Sequence, residues 1–83
     1  MKAEVLGTRP NEYDSKKTGK HVTAMNVYVA YPALGVTGRI CEDIFISDSF
    51  GIRPLLNSLQ PGDFVNIERN SRGFLIGFSL ADA

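Results

Sequence analysis

The sequence predicts an all-β domain of five short strands, with one short helix between the third and the fourth. Three observations lead there. Segments rich in Val, Ile, Phe and Tyr show the period-two alternation of strands that lie half-buried in a sheet. Gly and Pro punctuate the chain at short intervals: Arg9-Pro10-Asn11, Lys17-Thr18-Gly19, Tyr31-Pro32, Leu34-Gly35, Gln60-Pro61-Gly62 and Asn70-Ser71-Arg72-Gly73. A chain of 83 residues with 43% hydrophobic content supports one thin core, so a single domain spanning 1–83 is expected.

The first strand is expected at Lys2 to Thr8. The second runs from His21 to Tyr31 and is the longest. It places Thr23, Met25, Val27, Val29 and Tyr31 on one face, the core face by size, and Val22, Ala24, Asn26, Tyr28 and Ala30 on the other. The third, Gly38 to Ser47, turns Ile40, Ile44 and Ile46 inward, with Glu42 as an anomaly among them. Arg39, Cys41, Asp43 and Phe45 take its other face. Pro54 suits the first turn of a short helix, and Leu55, Leu56 and Leu59 give that helix a narrow apolar stripe. Pro61-Gly62 stops it. The fourth strand, Asp63 to Asn70, buries Val65 and Ile67. The fifth, Gly73 to Leu80, alternates Phe74, Ile76, Phe78 and Leu80 with Leu75, Gly77 and Ser79. This layout is that of a five-stranded OB-like barrel, with an SH3-like barrel as the competing architecture.

Composition narrows the function. Nine Lys and Arg balance nine Asp and Glu, so any basic surface must come from segregation of charge and not from its total. No apolar stretch is long enough to span a membrane, and the opening Met1-Lys2-Ala3-Glu4-Val5 lacks a signal-peptide core. One cysteine, Cys41, and one histidine, His21, make neither an intrachain disulfide nor a four-ligand zinc site. A cytoplasmic protein without cofactor or metal is the expectation. Catalysis has little to build on. His21 lacks a carboxylate close in sequence, Glu42 and Asp43 point to opposite faces of a strand, and no glycine spacing matches a phosphate loop. Cys41 reads as a small core hydrophobe. The chain is expected not to be an enzyme.

Two segments carry the chemistry that remains. Arg9 to His21 reads as a flexible basic loop, with Arg9, Lys16, Lys17 and Lys20 set against Glu12 and Asp14, and with Tyr13 inside it. Beside the outward Tyr28, such a loop forms a cationic groove with an aromatic platform, the arrangement by which single strands are held. The turn Arg69-Asn70-Ser71-Arg72-Gly73 is followed at once by Phe74 and offers an arginine for phosphate next to a ring.

The order of a short first strand, a Lys-rich loop ending Thr18-Gly19-Lys20, the strand Val22-Thr23-Ala24-Met25-Asn26-Val27-Tyr28-Val29, the Pro61-Gly62 entry and a late hairpin resembles one family. This family is the small helix-destabilising single-stranded DNA-binding proteins of filamentous phages and mobile elements. The resemblance implies an OB-fold homodimer that coats single-stranded DNA without strong sequence preference. Lys16, Lys17 and Lys20 match the family's phosphate-contacting loop, and Phe74 matches the aromatic of its late hairpin. His21 and Val22 stand where the family often has a tyrosine.

The function expected from the whole reading is therefore non-specific binding of single-stranded DNA, or of RNA, by a homodimer and away from membranes. Arg9, Lys16, Lys17, Lys20, Arg39 and Arg72 would neutralise phosphates. Tyr28, Tyr31 and Phe74 would stack on bases. The alternative is a protein-interaction module on an SH3-like barrel, with Tyr13, Tyr28 and Tyr31 lining a groove for an extended peptide. A third reading is a purely structural subunit of a phage or mobile-element assembly.

Overall fold

A computed structural model describes residues 1–82. Five antiparallel strands form one sheet: β1 (Lys2–Asp14), β2 (His21–Tyr31), β3 (Ile40–Ser47), β4 (Phe64–Arg69) and β5 (Leu75–Ala81). Between β3 and β4 come a single 3-10 turn, Asp48–Phe50, and a short helix α1 (Arg53–Ser58). The strand order is β3-β2-β1-β4-β5. Three hairpin-linked strands thus lie side by side and the fourth returns to pair beside the first, which is a Greek key. The all-β class, the five strands and the position of the helix are as the sequence predicts. The expected barrel differs in one respect: among the described residues no ladder joins β3 to β5, and the sheet stays open between them.

The core lies on the inner face of the sheet. Val5 of β1, Met25, Val27 and Val29 of β2, Ile44 and Ile46 of β3, and Val65 and Ile67 of β4 meet Leu56 and Leu59 from the helix region. Full burial of each such side chain contributes about 1.5–3 kcal/mol. Pro54 stands in the first turn of α1, where a missing N–H costs nothing, and the chain turns Leu56 into the core. The inner half of the sequence's face assignments is therefore correct for β2, β3 and β4.

β1 is longer than expected. Arg9-Pro10-Asn11 is not a break: Arg9 to Asp14 continue the strand, paired with β2 from Arg9↔Asn26 to Asp14↔His21. Proline is tolerated because the ladder between β1 and β4 ends at Glu4, leaving that side of β1 as a free edge where no N–H is required. The arm carries the molecule well past a sphere, with extents of 43 × 28 × 18 Å. A register shift between Val5 and Gly7 leaves Leu6 out of the β2 pairing and exposed.

β5 also departs from simple alternation. Glu68 pairs with Gly77 but Arg69 pairs with Leu75, so Ile76 is an extra residue in the strand. The bulge turns Leu75 toward the core and leaves Ile76 exposed, so Ile76 does not share the environment of Phe78 as strict alternation implies.

Candidate nucleic-acid interface

The hairpin of β1 and β2 closes through a compact turn. Ser15 N–H donates to the Lys20 carbonyl at 2.8 Å and Gly19 N–H to the Ser15 carbonyl at 2.8 Å. Gly19 adopts φ +68°, a region that favours glycine. The Thr18 hydroxyl accepts from Lys20 N–H at 3.3 Å. Lys16, Lys17 and Lys20 therefore project from the tip of a paired ribbon and not from the flexible loop that the sequence suggested. All three are exposed.

Strand alternation sorts the charges of this arm. Directly paired residues in an antiparallel ladder share a face. Arg9 stands opposite Asn26, which stands opposite Phe45, so these three form a row on the outer face. Tyr13, opposite Val22, shares that face, and its ring lies 6.4 Å from that of Phe45 with the planes inclined at 46°. Tyr28, opposite Asp43, is half-buried on the same face. An amide network fixes the centre: Asn11 Nδ2 donates to Asn26 Oδ1 at 3.0 Å, and Asn26 Nδ2 donates to Asp43 Oδ1 at 2.8 Å. Glu12 and Asp14 fall on the other face, with Thr23 and His21 opposite them.

His21 holds both of those carboxylates. Its Nδ1 is 2.8 Å from Asp14 Oδ1 and its Nε2 is 3.3 Å from Glu12 Oε2. The hydrogen bond with Asp14, followed by that with Glu12, raises the imidazole above its usual value of 6.5. Along the chain His21 has no neighbouring carboxylate, since Asp14 and Glu12 are 7 and 9 residues away. The hairpin register supplies the pair instead.

Among the described residues, three of the nine basic side chains are engaged by carboxylates. Arg39 contacts Glu4 at 2.7 Å, Arg53 contacts Asp48 at 3.0 Å, and Arg69 contacts Glu42 at 2.6 Å. Thr23 also donates to Asp48. Among the described residues, Arg9, Lys16, Lys17, Lys20 and Arg72 make no ion pair, and Lys2 sits over the Phe64 ring at 4.9 Å. Arg39 is thus tied to an acid, unlike the other cations named from sequence. Such a half-exposed pair contributes only about 0–1 kcal/mol.

Glu42, the inward acid on β3, has a clear role. It accepts from the Tyr31 hydroxyl at 2.7 Å and from Arg69 Nη2 at 2.6 Å. This ties β2 and β3 to the end of β4 across the open side of the sheet. The bond to Glu42 is the main cause that raises the Tyr31 phenol above its usual value of 10.0 and pushes the Arg69 guanidinium up as well. Tyr31 is corrected as a stacking residue, because its ring packs against the core and its hydroxyl is bonded. A peptide groove lined jointly by Tyr13, Tyr28 and Tyr31 is not formed, since Tyr31 lies on the opposite face.

The second predicted segment is well built. Asn70 Oδ1 accepts from the N–H of Arg72 at 2.9 Å and of Phe74 at 3.0 Å, and Gly73 takes φ +84°. The turn displays Arg72 and leaves Phe74 65% exposed, so the ring is not part of the core. Because Arg69 and Tyr31 both donate to the Glu42 carboxylate, this turn belongs to the Tyr31 end of β2. The lysine tip is at the His21 end, roughly 33 Å away at about 3.3 Å per strand residue. The structure therefore brings Arg9 and Tyr28 together on one face that leads to Lys16, Lys17 and Lys20, and keeps Arg72 and Phe74 apart from them.

Tyr13 and Phe45 complete the aromatic face; the sequence places Tyr13 only in the basic segment and in the alternative peptide groove, and gives Phe45 no binding role. Cys41 is exposed on this outer face and not in the core. No family model, no curated protein and no solved structure matches the chain.

Proposed function

We propose that the chain binds single-stranded nucleic acid, with DNA as the primary ligand, without sequence preference along the outer face of β1, β2 and β3. The observation that carries this reading is the sorting of charge in the β1–β2 arm. Arg9, Lys16, Lys17 and Lys20 lack carboxylate partners among the described residues, while the arm's two acids lie on the face opposite Arg9 and are held by His21. Next to the free cations lie three rings, Tyr13, Phe45 and Tyr28. Cations that track phosphates beside rings with exposed faces suit a flexible polyanion whose bases can stack, because every base offers a π-face. A duplex hides those faces. Arg72 and Phe74 supply a second, smaller contact of the same kind.

Titration of a fluorescent oligo(dT) at two salt concentrations tests the proposal. With three to five phosphates neutralised, log K against log salt should fall with a slope of roughly −2 to −3.5, at about 0.7 per phosphate. A flat salt dependence, or no binding at low salt, overturns it.

A further inference from the structure

The two edges of the sheet differ. β3 carries Glu42 and Asp43, and charge is one of the devices by which edge strands avoid pairing with other chains. β5, Leu75-Ile76-Gly77-Phe78-Ser79-Leu80-Ala81, has no charged residue and no proline. Among the described residues its backbone hydrogen-bonds with β4 alone. The inner face is also uncovered there. Val65 and Leu80 are direct partners in the ladder and so share a face, yet Val65 is 0% exposed and Leu80 is 58% exposed. Ile76, at 57%, adds a second uncovered aliphatic group on the same strand.

We infer that β5 is an interface between two copies of this chain, paired antiparallel about a two-fold axis to continue the sheet from one protomer into its partner. Charge selects both the occupant and the direction. The first charged residues beyond the strand are Arg72 before it and Asp82 after it. Antiparallel self-pairing brings the cationic end of one copy to the acidic end of the other, at both ends of the seam, whereas parallel pairing sets like against like. A net charge of zero leaves little long-range repulsion between copies. The pairing covers Ile76 and Leu80 and uses no residue of the proposed nucleic-acid face on β1, β2 and β3.

Sedimentation equilibrium from low to high micromolar protein tests this, without nucleic acid, so its outcome is separate from that of the binding reading. The intact chain should give about 18 kDa, twice the 9.1 kDa protomer. Ile76→Lys and Leu80→Lys, both at exposed positions, should weaken association at least tenfold, while Phe45→Lys on the opposite edge strand leaves it unchanged. Amide exchange of β5 in the unmodified protein provides a second measurement that needs no variant, and it should slow as protein concentration rises. A monomer at every concentration, which includes the case in which β3 of the same chain closes on β5, overturns the inference. So does a dimer indifferent to both lysines, or exchange in β5 that ignores concentration.

Discussion

His21 and Asp14 face each other across the β1–β2 ladder, with the imidazole Nδ1 2.8 Å from the carboxylate Oδ1. Glu12, two residues back along β1, closes on the other ring nitrogen. One side chain thus holds both acids of the arm on the face opposite Arg9. The arrangement gives the first testable expectation.

His21 should titrate above 6.5 in the folded protein, followed by NMR of its ring protons. Asp14→Asn should lower that value more than Glu12→Gln, because the Asp14 bond is the larger cause. A raised folded pKa means that the protonated ring favours the folded arm. The contribution is complete below about pH 6.5 and fades as pH rises through the folded value. A ring that titrates at or below 6.5 would remove the clamp.

Lys16→Ala with Lys17→Ala should weaken oligo(dT) binding and flatten its salt slope by roughly 1.4, about 0.7 for each phosphate released. Both side chains are exposed at the hairpin tip, so thermal stability should move by less than about 0.5 kcal/mol. Unchanged binding would reduce the tip to a solvated turn.

The rings proposed to stack on bases and the ring at the core should behave in opposite ways. Phe45→Ala, Tyr28→Ala and Phe74→Ala should each cost about 1–3 kcal/mol of single-strand affinity. Tyr31→Phe should leave affinity unchanged and lower stability by about 0.5–1.5 kcal/mol, through the hydrogen bond lost to Glu42. Paired melting and binding measurements on the four variants decide the assignment.

Glu42→Ala should destabilise the fold by about 1–3 kcal/mol, since it strips both Tyr31 and Arg69 of their acceptor at a partly buried position. Denaturant unfolding reads this directly, and a shift within experimental scatter would show that the tie across the open side is dispensable.

Much of this fold was legible in the sequence because strand alternation is a local signal. The bounds of β2, the inward isoleucines of β3 and the leucine stripe around α1 follow from spacing alone. What escaped depends on partners far along the chain. Pro10 reads as a break until β1 is seen to lose β4 beyond Glu4. The bulge at Ile76 takes it out of the environment of Phe78, which no alternation rule foresees. Glu42 stood out as anomalous, but its reason lay at Tyr31 and Arg69, 11 and 27 residues away. The same limit hid part of the site. The four free cations on the arm are visible as a cluster, whereas the meeting of Tyr13 with Phe45 requires the twist and register of three strands.

β1 belongs to two mechanical regimes at once. Its first residues, with Ala3 and Val5 buried, sit between β2 and β4 as part of the body. Beyond the irregularity at Leu6, the same strand has one ladder and no core beneath Glu12 to Asp14. The arm therefore acts as a cantilever, rooted where hydrophobic burial is complete and loaded at its lysine tip. Amide protection should decline along it from root to tip. A polyanion that grips the tip and the outer rings together would brace the free half of the beam, so that stiffness in this protein is distributed by its ligand as well as by its core.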